Sequence, residues 1–286
     1  MTVHERVAAA RQRLRDAGIG AAEAQASARL LAEHVLAWDT TRYLTWGHEA
    51  EPPGFEARYG AAVSRRAGRE PSAYITGRQE FWGLPLEVSP SVLIPRHETE
   101  LIVEAALELF GAETRPLDIA DACTGCGNLA VTLAHELARA SIVATDISEE
   151  ALDVARRNAD RHGVAARIRF VRADVLDGVD GPFDLIVANP PYVKRGDRPA
   201  LQPEVRDHEP GVALFGGTAG TELVATVVEQ GTARLRPGGC LMFEFGFGQE
   251  IEAETLIAAA PGLTMVGLRR DLQGLARMAI ARRAVV

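Results

Sequence analysis

Short apolar stretches alternate with longer amphipathic stretches along this chain from residue 116 onward. The short stretches have the length and apolar content of buried strands, and they lie near residues 116–122, 141–146, 167–172, 183–188 and 240–245. Strands that alternate with helices in this way are typical of an open, mostly parallel α/β sheet. Residues 263–266 and 277–284 supply two more candidate strands, which would bring the sheet to seven, and we expect the final one at an edge.

The tetrapeptide Asn189-Pro190-Pro191-Tyr192 directly follows the predicted strand 184–188. The side-chain oxygen of Asn189 and the carbonyl of Pro190 can each accept one N–H of a planar NH2 group. Both prolines stiffen the backbone and offer no N–H donor, and the Tyr192 ring can lie against the flat face of an amide or a base. The pattern indicates a site for a planar NH2 group at the carboxyl end of a strand. An ordinary strand-end turn is the alternative, because Asn-Pro and Pro-Pro are common loop dipeptides.

A glycine-containing loop over residues 123–128 joins the predicted strand 117–122 to a predicted helix. Such a loop lets a ligand approach the backbone while the helix N-terminus faces it. Asp121 lies in the strand before the loop, and the next strand ends at Asp146, where an acid can accept both ribose hydroxyls of a nucleoside. The third strand ends in Asp174, whose carboxylate suits an adenine amino group. The loop and these acids predict a nucleoside site.

Other interpretations of the same loop are dinucleotide binding, redox chemistry and metal binding. Dinucleotide-binding loops favour Gly-x-Gly-x-x-Gly, whereas residues 128–130 of this chain after Gly127 are Asn, Leu and Ala. Cys123 and Cys126 form a Cys-x-x-Cys pair, which a redox protein would place in a thioredoxin-like context. A metal site would need two further ligands at suitable spacing, and the sequence does not supply them, so we expect no metal.

The first part of the chain has a different pattern. Residues 1–75 predict four short helices of a small bundle without a catalytic constellation, so we expect it to bind a partner or to pack on the larger domain. Residues 76–95 predict a linking β-hairpin with strands over 80–88 and 91–95, turned by the Ser-Pro dipeptide between them. Residues 96–286 then form the predicted catalytic domain.

Composition narrows the class of protein. The chain has 286 residues, three cysteines and no apolar run of membrane-spanning length, and its N-terminus has no apolar signal core, so we expect a cytoplasmic protein. The net charge is −8, with ten arginines against nine acids in residues 1–75. Because the remaining part is acidic, we expect no direct binding of nucleic acid. We also expect a monomer.

Four further stretches, together with the Asn-Pro-Pro-Tyr sequence and the Cys-Thr-Gly loop, resemble the HemK/PrmC family of peptide chain release factor glutamine methyltransferases. They are Ala73–Leu84, Leu93–Glu100, Glu204–Pro210 and Ala213–Gly217. The second of these resembles the family's Pro-Arg-Pro-Glu-Thr-Glu motif, with His97 in place of the second proline. The resemblance spans nearly the whole chain. It implies a class I S-adenosylmethionine-dependent methyltransferase fold, which is Rossmann-like, with a small N-terminal helical bundle.

The resemblance also implies an activity: transfer of a methyl group from S-adenosylmethionine to the glutamine side-chain nitrogen of a Gly-Gly-Gln tripeptide in release factors, leaving S-adenosylhomocysteine. In this chain the implied catalytic residues are Asn189, Pro190 and Tyr192, and Pro191 and Phe81 join them in binding the glutamine. The implied cofactor-binding residues are Arg96, Asp121, Cys123, Thr124, Gly125, Cys126, Gly127, Asp146, Asp174, Val175 and Asn189.

Several alternatives stay open at this point. The acceptor could be a glutamine of another protein, such as a ribosomal protein, or an adenine or guanine amino group of a nucleic acid. Phe81 could instead belong to the hydrophobic core at a domain interface, which is the more frequent place of an aromatic residue in a hairpin. Arg96 lies beside acids that begin a predicted helix and serve its dipole. Glu244 either shapes the pocket after the fifth strand or is a structural acid.

Overall fold

The computed structural model describes residues 1–285, and its chain divides into two compact units. The smaller unit comprises Met1–Arg78 and Gln202–His208. The larger unit comprises Gln79–Leu201 and the chain from Glu209 onward. None of the helices in residues 1–285 has the length and apolar character needed to cross a membrane.

The smaller unit is helical from its first residues. Its N-terminal part contains α1 (Val3–Asp16), α2 (Ala21–Leu36), α3 (Thr40–Trp46), α4 (Phe55–Ala67) and α5 (Ser72–Thr76). Thr2 begins α1 with a capping box, since its side chain accepts from Glu5 N while the Glu5 side chain accepts from Thr2 N. The apolar faces of α1, α2 and α4 pack together around Leu14, Leu31 and Tyr59.

A buried arginine holds the second segment of the smaller unit to its helices. Arg66 is 1% exposed and donates to Glu23 at 2.5 Å and to Glu204 at 2.9 Å. Arg69 donates to the other oxygen of Glu204 at 2.7 Å. Because an unpaired buried guanidinium would be costly, these contacts fix the position of Gln202–His208 within the unit.

The β-hairpin turns earlier than the sequence suggested. Its strands are β1 (Arg78–Phe81) and β2 (Leu84–Glu87), and residues 91–95 form no strand. The turn lies at Trp82 and Gly83, whose φ angles are 53° and 71°. Two successive positive φ angles match the right-handed twist of a tight hairpin. The predicted turn at the Ser-Pro dipeptide and the predicted second strand are therefore wrong.

The larger unit is built from alternating strands and helices. Its strands are β3 (Leu117–Ala122), β4 (Ala140–Asp146), β5 (Ile168–Arg172), β6 (Phe183–Ala188), β7 (Val193–Lys194), β8 (Phe215–Gly217), β9 (Leu235–Glu244), β10 (Leu263–Arg270) and β11 (Ala276–Arg283). The helices of this part of the chain are α6 (Glu100–Phe110), α7 (Asn128–Glu136), α8 (Glu149–Arg161), α9 (Pro203–His208), α10 (Gly211–Leu214), α11 (Glu222–Arg234) and α12 (Glu250–Ala259). Of these, α9 belongs to the smaller unit.

The central sheet has seven strands in the order β10-β11-β9-β6-β3-β4-β5. Strands β9, β6, β3, β4 and β5 are parallel neighbours, and β11 is antiparallel to both β9 and β10. This confirms the predicted mostly parallel seven-stranded sheet. The final strand, β11, lies between two others, so its predicted place at an edge is wrong. Most of its residues are buried, as expected for a strand with neighbours on both sides.

The register of the sheet brings three strand ends together. Ala122, at the end of β3, lies opposite Thr145 of β4 and opposite Ala188 of β6. The residues that follow these positions therefore leave the sheet at the same edge. The order of strands reverses at β3, because β4 lies on one side of it and β6 on the other. Ligands of open α/β sheets bind in the crevice at such a point.

Candidate active site

A cavity lies at this edge of the sheet. Its walls come from the segment before α6, the β3–α7 loop, the ends of β4 and β6, and the start of α8. The lining residues are Ser91, Val92, Leu93, Pro95, Cys123, Thr124, Gly125, Cys126, Asn128, Asp146, Ile147, Ser148, Ala151, Asp174, Val175, Asn189, Pro191, Val212, Ala213 and Leu223.

The β3–α7 loop owes its shape to three residues in left-handed conformation. The φ angles are 61° at Cys123, 55° at Gly125 and 82° at Gly127. A Cβ at Gly125 would meet nothing within 4 Å, so the missing side chain leaves open space beside the loop. A Cβ at Gly127 would lie 3.0 Å from Ala155 Cβ, so glycine there allows α7 to pack on α8. The open cradle at Gly125 is what close approach of a ligand to the backbone requires.

Asp146 lies at the cavity wall and holds the loop by its backbone. Its Oδ2 accepts from Gly125 N at 2.9 Å, and its Oδ1 accepts from Ser148 N at 2.9 Å. Burial raises the pKa of Asp146, and these hydrogen bonds oppose the rise. A carboxylate has about four lone-pair sites. Both oxygens therefore keep a free site for a pair of hydroxyl groups such as those of a ribose.

Asp121 supports the loop from beneath and does not line the cavity. It is fully buried, and its Oδ2 accepts from Thr124 Oγ1 at 2.5 Å and from Ala130 N at 3.0 Å. Its Oδ1 is buried without a hydrogen-bond partner in the described residues. Burial raises the pKa of Asp121 to about 7, against the effect of these two hydrogen bonds. The structure thus places Asp121 as a support of the loop.

The two cysteines of the loop are free thiols in a setting that disfavours the thiolate. Cys126 is buried, and Cys123 is partly buried at the cavity wall. Burial raises the pKa of Cys126 to about 12 and raises that of Cys123 further, with the carboxylates of Asp146 and Asp121 adding to the effect. Since the thiolate is the reactive form of cysteine, this geometry opposes a redox pair.

The catalytic loop predicted after β6 presents two unpaired acceptors. Asn189 and Pro191 line the cavity. The Nδ2 of Asn189 donates to Thr99 Oγ1 at 3.0 Å, and within residues 1–285 its Oδ1 has no hydrogen-bond partner. The carbonyl oxygen of Pro190 likewise has none in the described part of the chain. Of the two residues whose oxygens the sequence predicts to receive an NH2 group, Asn189 lines the cavity, whereas Pro190 is buried and does not line it.

A buried carboxylate lies behind this loop. Glu244, at the end of β9, is 2% exposed. Its Oε2 accepts from Thr99 Oγ1 at 2.6 Å, and its Oε1 accepts from the Tyr192 hydroxyl at 2.7 Å. Burial raises the pKa of Glu244, while the hydrogen bonds from Thr99 and Tyr192 oppose the rise. Glu244 thus connects Tyr192 and, through Thr99, Asn189.

Five other residues of the predicted site do not line the cavity, and one of them is Pro190, which is buried. Gly127 is the helix-packing glycine, and Tyr192 lies against Glu244. Arg96 donates to Glu209 Oε1 at 2.5 Å, and Glu209 also accepts from Ile94 N at 3.3 Å. This pair fixes the segment before α6, which contributes to the cavity wall. Phe81 is 1% exposed in the β-hairpin.

Comparison with known proteins agrees with this geometry. The family described as PrmC N-terminal domain matches residues 5–77, and the Methyltransferase small domain matches residues 99–203. The release factor glutamine methyltransferase of Bradyrhizobium diazoefficiens is 40% identical over 263 residues, which cover 91% of this chain and 89% of the relative. That of Deinococcus radiodurans is 39% identical over 288 residues, covering 99% of both chains. The chain belongs to the release factor glutamine methyltransferase family.

Solved structures agree with the family's fold. A methyltransferase from Pyrococcus furiosus aligns with a TM-score of 0.53 at 20% identity, covering 80% of this chain and all of that one. A 16S rRNA N2 G1207 methyltransferase from T. thermophilus, in complex with AdoMet and guanosine, aligns with a TM-score of 0.51 at 20% identity over 72% of this chain and 49% of that one. At such identities the likeness concerns the fold, and it confirms the predicted class I methyltransferase fold.

Three residues with a supporting place in this family member were not found from the sequence. Thr99 connects Asn189 to Glu244. Asn158 of α8 donates to Cys126 O and to Glu87 O, so it joins the cofactor loop to β2 of the hairpin. Gln249 donates to Tyr192 O at 3.1 Å and accepts from Gly246 N at 2.8 Å, which holds the loop after β9 against the catalytic loop. All three residues are polar and buried, and only the folded structure shows that they are buried.

Proposed function

We propose that this protein methylates the side-chain nitrogen of the glutamine in the Gly-Gly-Gln tripeptide of peptide chain release factors, with S-adenosylmethionine as the methyl donor. The observation that carries the proposal is that Asn189, which lines the nucleoside cavity, and the buried Pro190 that follows it each have a carbonyl oxygen without a hydrogen-bond partner in the described residues. Membership of the family, whose relatives carry that activity in their names, supports the same conclusion.

The two acceptors suit the acceptor nitrogen of a primary amide. A glutamine side chain presents two N–H donors in one plane, and two acceptors can hold both. This fixes the plane of the amide and directs one face of its nitrogen toward the cavity, which reduces the entropic cost of reaction. The amide lone pair is delocalised into the carbonyl group, so the nitrogen is a weak nucleophile and orientation matters more than usual.

The same acceptors favour the reaction electrostatically. S-adenosylmethionine supplies an electrophilic methyl group when it is bound. As the amide nitrogen gains a bond to carbon, its N–H groups become more acidic and more positively charged. Asn189 Oδ1 and the Pro190 carbonyl strengthen their hydrogen bonds at that moment, which stabilises the transition state more than the ground state. The methyl–sulfur bond breaks to leave S-adenosylhomocysteine, and one N–H proton then passes from the nitrogen to solvent water, so that the product is a neutral N-methyl amide.

We propose that the cavity residues divide the cofactor between them. Asp146, with a free site on each carboxylate oxygen, would accept the ribose hydroxyls. Asp174 and Val175 lie at the cavity wall and would contact the adenine. Ile147, also at the wall and 49% exposed, offers an apolar surface for the base. The open cradle at Gly125 suits the close approach of the amino-acid part.

We further propose that the helical bundle, residues 1–75, recognises the release factor. Its α3 exposes two large apolar side chains, Leu44 at 61% and Trp46 at 48%. Arg42 lies over the rings of both Trp38 and Trp46, at 5.8 and 5.7 Å from their centroids. Exposed aromatic and arginine side chains are the residues most enriched where proteins bind each other. Residues 1–75 would then serve recognition and residues 96–286 the chemistry, with the hairpin region 76–95 between them.

Incorporation of a labelled methyl group tests the proposed function. The full chain is incubated with labelled S-adenosylmethionine and either an intact release factor or one whose Gly-Gly-Gln glutamine is changed to alanine. We expect label in the intact release factor alone. Equal label in both release factors, or label in added ribosomal RNA instead, would contradict the proposal.

A further inference from the structure

Thr99 and Glu244 lie behind the catalytic loop and do not line the cavity. Both are buried, with exposed fractions of 0% and 2%. They come from distant parts of the chain, since Thr99 precedes α6 and Glu244 ends β9. A buried carboxylate normally serves a purpose, because its burial is costly unless its hydrogen bonds are made.

The direction of each hydrogen bond follows from the chemistry of the groups. The two oxygens of Glu244 accept from two hydroxyl groups, those of Thr99 and Tyr192, so the hydroxyl hydrogen of Thr99 points to Glu244 Oε2. The Thr99 oxygen is then left with lone pairs alone toward Asn189. Only the Nδ2 of Asn189 can donate to them, at 3.0 Å. The amide oxygen of Asn189 must therefore be the atom that is left for the acceptor.

From the directions of these hydrogen bonds we infer that Thr99 and Glu244 are positioning residues that hold the Asn189 amide with its oxygen toward the methyl acceptor. This inference rests on the proposed function. Without Thr99 and Glu244, the amide can rotate by half a turn and present its NH2 group instead. Two NH2 groups facing each other cannot form a hydrogen bond. The acceptor glutamine would then lose one of its two holding contacts, and its nitrogen would no longer be oriented.

Two substitutions of Thr99 separate this role from simple packing. Thr99→Val keeps the shape of the side chain and removes the hydroxyl, whereas Thr99→Ser keeps the hydroxyl and removes a methyl group. We expect kcat to fall by at least about tenfold in Thr99→Val and to stay within about threefold in Thr99→Ser, since a hydrogen bond is worth about this much. The affinity for S-adenosylhomocysteine, measured by calorimetry, should not change in either variant.

A matched control exists elsewhere in the fold. Thr132 on α7 is also fully buried, but its hydroxyl has no hydrogen-bond partner within the described residues. Thr132→Val should therefore leave kcat unchanged. In Glu244→Gln one acceptor oxygen becomes an NH2 donor. The hydrogen bond between this side chain and Thr99 can then run in either direction, so we expect kcat to fall here too. An unchanged kcat in Thr99→Val, or in Glu244→Gln, would overturn the role of that residue.

A measurement without any substrate tests the orientation itself. Nuclear magnetic resonance of the 15N-labelled asparagine side chains reports hydrogen exchange of the Asn189 Nδ2 group, identified by its loss in Asn189→Ala. We expect protection of this group in the unaltered chain and in Thr99→Ser, and its loss in Thr99→Val. Persistent protection in Thr99→Val would overturn the inference. If no release factor is labelled by the unaltered chain, the proposed function fails, and the exchange result still decides the orientation of Asn189.

Discussion

The Tyr192 hydroxyl lies 2.7 Å from Oε1 of Glu244 and donates to it, although 52 residues separate the two in the chain. The contact joins the catalytic loop after β6 to the end of β9. It also places the phenol away from the cavity, because Tyr192 does not line it. The structure therefore assigns the hydroxyl to the support of the loop, and the ring packs against the hydrophobic core of the larger unit.

Removal of this hydroxyl should have a modest effect. In Tyr192→Phe the ring remains and one hydrogen bond to Glu244 is lost, so we expect kcat to fall by roughly threefold to tenfold. Cofactor affinity should be unchanged. Steady-state kinetics with a release factor measures the first quantity and calorimetry the second. A loss of more than a hundredfold would mean that the hydroxyl takes part in the chemistry directly.

Asp146 offers the sharpest test of the cofactor site. Its carboxylate holds Gly125 N and Ser148 N and keeps two free lone-pair sites at the cavity wall. Asp146→Ala removes all of these, so we expect the dissociation constant for S-adenosylmethionine to rise by at least about tenfold, as for lost hydrogen bonds to a charged group. Asp153→Ala, on the exposed side of α8, is the control. Equal affinities in calorimetry would remove the role assigned to Asp146.

Asp121 should make stability depend on pH. Its pKa is about 7 in the folded protein because of burial, against an ordinary value of 3.8. Between pH 3.8 and about 7 the folded state therefore holds a proton that the unfolded state has released. The contribution of Asp121 to the free energy of unfolding is fully present below pH 3.8 and is lost as the pH rises to about 7. The slope is at most about 1.4 kcal/mol per pH unit.

Comparison with Asp121→Asn isolates this effect from other titrating groups. The asparagine does not titrate, so we expect the difference in unfolding free energy between the two proteins to shift in favour of the variant between pH 5 and 7 and to level off above about 7. Urea unfolding at several pH values measures it. A difference that stays constant with pH would show that Asp121 keeps an ordinary pKa in the fold.

Recognition by the helical bundle can be tested at Trp46. The side chain is half-exposed on α3, and its ring lies under Arg42. Trp46→Ala should raise KM for the release factor by roughly tenfold, as for an aromatic residue at the centre of an interface, with kcat and cofactor affinity unchanged. Leu272→Ala, an exposed apolar residue of the larger unit, is the control. An unchanged KM in Trp46→Ala would place recognition elsewhere.

Much of the fold and the main site residues could be predicted because their signals are local. A strand that ends in an acid, as at Asp146, or in Asn-Pro-Pro-Tyr can be read from a short window, and parallel strands bring their carboxyl ends to one edge. The seven strands of the sheet were found from their short apolar runs. The cavity lining at Asn189, Asp146 and the β3–α7 loop then follows from the register.

What could not be predicted depends on contacts between distant residues. Thr99 has no local signal, since its two partners, Asn189 and Glu244, lie 90 and 145 residues away in sequence. The interior place of β11 depends on its insertion beside β9, although its unbroken apolar run could have indicated burial on both faces. The hairpin turn was misplaced because Trp82 rarely adopts a positive φ, whereas a Ser-Pro dipeptide is a common turn signal.

The location of the transferred methyl group tests the central claim most directly. The unaltered chain and Asn189→Ala are each incubated with labelled S-adenosylmethionine and a release factor, and the label is located by peptide mass spectrometry. We predict label on the side-chain nitrogen of the Gly-Gly-Gln glutamine with the unaltered chain. Asn189→Ala should give none, while its cofactor affinity stays largely intact. Label at any other residue, or turnover by Asn189→Ala close to that of the unaltered chain, would contradict the account.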